Sequence, residues 1–241
     1  MGLPHSRLRG VVVEIDLAPP VSLDPMSQKD FQRAVEDRCV EVNYVQRATE
    51  GVEFGRRYPN SRELLRVVAR PQKLSIEQWF RPELSLTIKE MDEIVKAAQD
   101  TLKPRVLAGI RVRVCKQAGA PGGDARVFLA DQVLQIPQER KSSFGRPIHM
   151  VGIKFFMPPY QVVAGPASGA QAADGVEVRI ESLNEDISEI FLECNHYFPA
   201  PDELSAMTSL RSFVDKTDDF LEQQVAQFLQ VSDPEAGESN G

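Results

Sequence analysis

Alternating hydrophobic and polar residues mark two strands in the last third of the chain. In residues 175–183, apolar side chains occupy every second position between charged ones. This is the pattern of a strand with one buried and one solvent-exposed face. After a polar turn at residues 184–186, residues 190–198 alternate in the same way, which predicts an antiparallel hairpin. Residues 213–229 then carry an apolar stripe at helical spacing, and Asp215 is the expected N-cap of that helix.

A similar hairpin followed by a helix occurs about half a chain earlier. Residues 64–69 and 74–80 are predicted to pair as strands, and residues 86–102 have the pattern of an amphipathic helix. Thr87 and Glu90 have the spacing of a capping box at its start. The two units suggest a divergent internal duplication, although two ordinary hairpin-and-helix units would give the same pattern.

Two further segments support the same division of the chain. Residues 9–20 and 149–159 are each an apolar strand that ends in two prolines, and each begins one of the halves. We therefore expect two α+β halves, joined by a strand and a mobile Gly/Pro loop and followed by a disordered acidic tail. The first half, the connection, the second half and the tail are residues 1–104, 105–148, 149–230 and 231–241.

Most of the predicted elements are strands, and helices occur only at intervals. Residues 39–48 and 52–58 predict another hairpin, and residues 105–116 predict a long strand. The regular alternation of strand and helix that a doubly wound parallel sheet requires is missing. The predicted fold is therefore α+β: a mainly antiparallel sheet, either one curved sheet or two packed sheets, with the two longer helices on one face.

The composition is that of an ordinary globular protein. Of the 241 residues, 42% are hydrophobic and 26% are charged, and no apolar run approaches the ~20 residues that cross a bilayer. Glu14 and Asp16 interrupt the apolar run near the N-terminus, where a signal peptide needs a continuous core. The three cysteines are widely spaced, which favours reduced thiols over a disulfide framework or a zinc site. We expect a cytoplasmic protein that needs no membrane, metal or other cofactor.

The net charge of −7 disfavours nucleic acid and acidic membranes as partners. One basic candidate surface combines Arg111 and Arg113, in a predicted strand, with residues 56–57 after a turn. No aromatic residues are interleaved with them, as a single-strand binder would require. In a simpler interpretation, Arg111 and Arg113 lie on the solvent-exposed face of their strand and pair with carboxylates of a neighbouring strand. The expected partners are Glu177 and Glu181.

Candidate catalytic residues are few. Cys194 and His196 are two residues apart on a predicted strand and hence share a face, as a nucleophile and its base or two metal ligands would. The apolar residues on that face favour another explanation, a buried thiol beside a histidine held by a backbone partner. No third ligand follows at metal-site spacing. Glu14 and Asp16 fit the solvated face of a strand better than an acid/base pair.

Aromatic residues supply the candidate interface. Trp79 and Phe80 form an apolar cluster that closes the core of the first half if it is buried, or anchors a partner if it is exposed. Phe155 and Phe156 lie in a nearly continuous apolar run, which is typical of a central strand or of one that faces a partner. Both pairs are therefore candidate interface residues.

The absence of a catalytic signature favours a non-enzymatic binding protein. It would be an adaptor, scaffold or regulatory subunit that acts through protein–protein contacts or self-association. The alternative is a small-molecule-binding protein or an enzyme with a pocket between the two halves, where pockets commonly form. The candidate residues of that pocket are Arg111, Arg113, Glu177, Cys194 and His196.

Overall fold

Two long antiparallel strands, β1 (Arg7–Ala18) and β6 (Val106–Gly119), pair at the centre of the protein. Both are rich in β-branched residues, whose side chains pack well on a pleated sheet. Within the described part of the chain, every other strand is added to one side or the other of this pair. The computed structural model describes residues 6–104, 106–158, 174–199 and 209–230.

Hairpins extend the sheet on both sides of the central pair. The outer strands are β2 (Tyr44–Ala48), β3 (Gly51–Arg57), β4 (Leu64–Arg70), β5 (Lys73–Trp79), β7 (Gly152–Met157), β8 (Gly175–Ser182) and β9 (Glu189–Pro199). The nine strands are all antiparallel, in the order β2-β3-β4-β5-β1-β6-β9-β8-β7. This confirms the predicted α+β fold, with one sheet rather than two.

Short and long helices occupy the connections between strands. They are α1 (Pro25–Glu36), α2 (Leu84–Leu102), α3 (Ala125–Val127), α4 (Gln138–Ser142), α5 (Arg211–Phe220) and α6 (Ala226–Phe228). A π-helical turn, Phe128–Val133, extends α3, and another, Leu221–Val225, joins α5 to α6. The helices α1 and α2 contact each other, and α5 contacts β6 and β9. No helix in the described ranges has the length and apolar character needed to cross a membrane.

The two faces of the sheet differ in chemistry. The covered face consists of the side chains in register with Val11, Val13 and Ile15, which are fully buried in the hydrophobic core. The open face consists of the side chains in register with Glu14 and Asp16, and it carries charged and aromatic residues. One buried and one polar face is the usual arrangement in an antiparallel sheet, and it explains the period-two alternation in the sequence.

Apart from one additional edge strand, the strand order is symmetric about the central pair. Moving outward from β1 the order is β5, β4, β3, β2, and moving outward from β6 it is β9, β8, β7. Each central strand contains a β-bulge, at Arg9 in β1 and at Ala108 in β6. A glycine follows each bulge residue and lies beneath an aromatic side chain, so a Cβ there would collide with the ring. These contacts are Trp79 over Gly10 and Tyr197 over Gly109.

The start of α2 differs from the predicted one. The helix begins at Leu84, so Thr87, the expected N-cap, is buried within the first turn. Glu90, the expected second half of a capping box, instead accepts hydrogen bonds from Arg56 of β3. The carboxylate of Glu90 therefore forms an ion pair with a residue distant in sequence and, contrary to the local pattern, does not cap the helix.

The start of α5 is also set by a distant residue. The helix begins at Arg211, before the expected cap Asp215. Asp92 of α2 accepts hydrogen bonds from the backbone N–H of Leu210 (2.7 Å) and the hydroxyl of Ser209 (2.7 Å). A carboxylate on another helix thus satisfies an N-terminal backbone donor of α5, which a local pattern cannot reveal.

Two buried cations tie helices to the sheet. Arg56 donates to Glu90 of α2 (2.9 Å) and to Glu63 (2.8 Å), and Arg81 also binds Glu90. Lys116 of β6 makes an equivalent connection in the other part of the sheet. Its ammonium binds Asp218 (2.7 Å) of α5 and Glu222 of the following turn. Because both cations lie on the covered face, each needs these carboxylates to offset the cost of its burial.

Replacing Glu90 with Gln tests the first of these connections. The substitution leaves the buried guanidinium of Arg56 with Glu63 alone, so we expect the free energy of unfolding to fall by about 2 kcal/mol. Urea unfolding followed by circular dichroism measures this change. Glu93→Gln is the matched control on the same helix, because its ion pairs with Lys96 (2.7 Å) and Arg38 (3.8 Å) are partly exposed and are expected to contribute less. Equal losses in the two variants would contradict the assignment.

Candidate functional site

The open face brings together three of the residues that the sequence marks as ligand-binding candidates. Arg113 and Glu177 lie in one row across the sheet, separated by Asn195 of β9. Arg111 is one row away, next to Tyr197. The complete row with Arg113 contains Tyr44, Gly55, Arg66, Glu77, Val12, Arg113, Asn195, Glu177 and Phe156. The open face is therefore a continuous polar and aromatic surface across all nine strands.

Arg111 is neutralised by a residue of β1. Its guanidinium donates to Glu14 at 2.9 Å, and Lys73 of β5 also approaches Glu14 at 3.4 Å. The expected pairing with Glu177 or Glu181 is not formed, because β9 lies between β6 and β8. Glu14 therefore serves as a counter-ion between two cations, which is the structural role expected for a solvated strand face.

Most other charges of the open face are also paired. Cross-strand or same-strand ion pairs join Arg66 to Glu53 and Glu77, Lys154 to Glu177, and Arg179 to Glu181. The Arg66 pairs are 2.8 Å and 3.0 Å long, and the Lys154 pair is 3.0 Å long. Paired charges of this kind keep a polar surface close to neutral and add little stability individually.

Arg113 differs from these arginines. Its Nε is buried and has no hydrogen-bond partner among the described residues, and Arg113 forms no ion pair there. The side-chain oxygen Oδ1 of Asn195, directly across on β9, is also buried and unpartnered. Since β6 separates the two predicted halves, this donor and this acceptor lie in the seam between them. Both atoms therefore have unused hydrogen-bonding capacity among the described residues.

Cys194 and His196 lie on the covered face, away from the arginines. The imidazole of His196 is only 2% exposed, stacks on Phe198 at 4.5 Å between ring centroids, and lies 3.2 Å from Asp174. Asp174 also binds Lys216 of α5. The carboxylate, rather than the expected backbone group, is therefore the partner of the histidine.

Burial raises the pKa of the Cys194 thiol to about 12. Cys115, on the open face, is buried as well, and burial raises its pKa to about 12. Both thiols are therefore protonated at neutral pH, whereas a nucleophilic cysteine needs its thiolate form. In the described part of the chain, no group of three or more His, Cys, Asp and Glu side chains is placed to hold a metal ion.

The candidate residues Phe155 and Phe156 lie on β7, which is an edge strand of the sheet. Phe156 projects from the open face and is 69% exposed. Phe155 projects from the other face, is 37% exposed and meets the ring of Phe228 at 5.1 Å between centroids. Only β8 pairs with β7 in the described residues, so a row of backbone donors and acceptors has no strand partner.

The candidate residues Trp79 and Phe80 lie at the end of β5. Trp79 is half-buried on the open face over Gly10, outside the hydrophobic core. Phe80 is 39% exposed, and the guanidinium carbons of Arg9 and Arg62 lie 5.5 Å and 6.0 Å from its ring centroid. This pair of aromatic residues therefore borders a cationic surface, and it does not close the core of the first half.

Sequence patterns did not single out Arg9, Arg62 or Asn195. Arg9 precedes a glycine at the start of a strand, which is a weak sign of a bulge. Arg62 lies in a polar loop, and Asn195 alternates with apolar residues like any exposed strand residue. Their positions depend on which strands are neighbours in the sheet, and the sequence pattern does not contain that information.

Comparison with known proteins returned no match, either to a protein family or to a curated protein sequence.

The buried pair of His196 and Asp174 predicts a pH dependence of stability. Burial lowers the pKa of His196 below 6.5, although Asp174 opposes this shift. As the pH falls below 6.5 the unfolded chain binds a proton before the folded protein does, so folded-state stability is lost in that window. Burial raises the pKa of Asp174, but the hydrogen bonds from Lys216 and from a backbone N–H, with the nearby positive charge, more than offset this. The net shift of its pKa is downward, away from the window.

His196→Gln removes this contribution. We expect the free energy of unfolding of the wild-type protein to fall between about pH 7.5 and about pH 5.5, and that of the variant to fall less. Urea unfolding at several pH values measures both. A parallel decrease in the two proteins would show that His196 is not the group responsible.

The cysteines are predicted to differ in reactivity. Cys39 is exposed, whereas Cys115 and Cys194 are buried with raised pKa values. Iodoacetamide at neutral pH should therefore label the native protein at Cys39, and Cys39→Ser should abolish labelling. Mass spectrometry of the labelled protein gives the result. Rapid labelling of Cys194 would instead support a nucleophilic role for that thiol.

Proposed function

We propose that this chain is a non-enzymatic binding protein, an adaptor or regulatory subunit, that pairs an extended segment of a protein partner with the edge strand β7. The observation that supports this proposal is the exposure of Phe155 and Phe156 on opposite faces of an edge strand. A partner strand would hydrogen-bond to the β7 backbone and contact both rings, which is the usual chemistry of strand addition.

The two edges of the sheet are not alike. At the opposite edge, β2 is five residues long and includes Gln46 and Arg47. Polar and charged side chains on an edge strand discourage pairing with other chains. β7 includes one charged residue, Lys154, which is paired with Glu177 of its own sheet. An apolar edge that remains exposed is therefore better suited to a partner than to solvent.

A second candidate function is the binding of a small molecule in the seam beside β6. The buried and unpartnered Nε of Arg113 and Oδ1 of Asn195 favour it, since a ligand with both an acceptor and a donor would satisfy the two atoms. Arg111 is paired with Glu14, and Glu177 is paired with Lys154. Arg111 and Glu177 are therefore expected to contribute less to such a site than the sequence suggests.

The internal duplication forms part of this proposal. The symmetric strand order and the two bulges support it, with β6 rather than residues 149–159 as the counterpart of β1. In this division the second unit begins at β6, and α2 and α5 are the equivalent helices on the covered face. We also place the protein in the cytoplasm, because its three cysteines are free thiols.

Phe156→Lys tests the proposal. The protein is tagged, purified gently from its own host and weighed by native mass spectrometry, which detects bound proteins and small molecules together. We expect a stoichiometric protein partner with the wild type and its loss with the variant. The variant should keep its stability within ~0.5 kcal/mol, because the replaced ring is mostly in solvent.

Val45→Lys on the other edge strand is the matched control, since Val45 is also exposed and its replacement should leave the partner bound. Retention of the partner by Phe156→Lys would overturn the role of β7. A wild-type protein that carries a small molecule and no protein would favour the seam instead.

A further inference from the structure

A cationic and aromatic cluster lies at one end of the sheet, where β4 begins, β5 ends and β1 bulges. We call it the Phe80 cluster, and it consists of Arg9, Arg62, Trp79 and Phe80. It does not include β7, which lies at the far edge of the sheet. The cluster is therefore independent of the function proposed above.

Phe80 is held in an unusual position. Its φ of 59° is in the left-handed region, which is unfavourable for a bulky side chain. Its backbone N–H donates to the carbonyl oxygen of Arg9 at 2.7 Å, which holds it in place beside the bulge. The ring nevertheless stays 39% exposed, so packing in the core does not explain this conformation. Costly backbone geometry at an exposed aromatic residue is common at binding sites.

Within the described part of the chain, the two arginines of the cluster have no counter-ion. Neither Arg9 nor Arg62 forms an ion pair with a described residue, and the Nε of Arg9 is buried without a hydrogen-bond partner. Two carboxylates act on Arg9 through their charge without forming an ion pair with it: Glu189, which binds Arg7, and Glu185. Burial lowers the pKa of Arg9, and the positive charges of Arg7 and Arg62 add to this effect. An incoming anion would offset the repulsion between these positive charges.

We propose that the Phe80 cluster binds an acidic segment of a protein, with carboxylates on Arg9 and Arg62 and an apolar neighbour against Phe80. Guanidinium groups match carboxylates in shape and bind them through two parallel hydrogen bonds. The exposed ring supplies the apolar contact that interface anchors use. Nucleic acid fits less well, because a chain with a net charge of −7 repels a polyanionic backbone and two guanidinium groups neutralise little of it.

Fluorescence anisotropy with a labelled peptide tests this site. The probe peptide contains four glutamates and one phenylalanine, and a matched peptide has glutamines in place of the glutamates. At low salt, we expect the full chain to bind the acidic peptide and to bind the glutamine peptide at least tenfold more weakly.

Arg9→Gln should weaken binding of the acidic peptide about tenfold, because Arg9 is half-buried. Arg62→Gln should weaken it about threefold, because Arg62 is exposed.

Arg70→Gln is the matched control, since Arg70 is an exposed arginine of the open face at the other end of β4. It should not change the affinity, and neither should Phe156→Lys. Because Arg62 is exposed, its replacement does not endanger folding, so an unchanged affinity in Arg62→Gln and Arg9→Gln would overturn the proposal. Equal binding of the two peptides would also overturn it.

Stronger binding of a labelled oligothymidylate would assign the cluster to nucleic acid instead. Displacement of the peptide by millimolar inorganic phosphate would assign it to a free anion.

Discussion

Pairing between β1 and β6 is the interaction on which the rest of the structure depends. It joins residues far apart in the chain, as the Arg111–Glu14 contact shows with a sequence separation of 97 residues. Closing so long a loop costs chain entropy, which the apolar residues on the covered side of both strands offset by their burial. The outer strands β2, β3, β4, β7 and β8 pair as hairpins with neighbours in sequence. Contact between distant segments is expected to make formation of the central pair the slow step in folding.

The same pairing decides which polar groups are satisfied. On the open face Arg111 pairs with Glu14, because β1 is adjacent to β6. Arg113 lies opposite Val12 and Asn195 and has no carboxylate partner among the described residues. The strands next to β6 therefore provide a counter-ion for Arg111 but, among the described residues, none for Arg113. Among the described residues, the Nε of Arg113 and the Oδ1 of Asn195 remain unpaired, because neither residue directly opposite Arg113 carries a carboxylate.

The sequence predicts those parts of the fold that depend on interactions between residues close together in the chain. The three hairpins of neighbouring strands that the alternating pattern predicts, β2 with β3, β4 with β5 and β8 with β9, are present, because a hairpin depends on alternation and a turn. The caps at Thr87 and Asp215 were predicted wrongly, because Arg56 and Asp92 compete for the groups concerned from other elements. The position of β6 beside β1 was not predictable from pattern alone. The partners of Arg111 and the cluster at Phe80 depend on that position or on other contacts between distant strands.

Trp79 is the only tryptophan of the chain, and it lies over Gly10 beside the bulge of β1. A half-buried indole emits at a wavelength that depends on how much water reaches it. When tryptophan is excited selectively, apart from the four tyrosines, the fluorescence of this protein therefore reports a single location. That location adjoins both the central strand pair and the ring of Phe80. The emission spectrum therefore supplies a built-in optical probe. It reports opening of the centre of the sheet during unfolding, and occupation of the neighbouring surface in the folded protein.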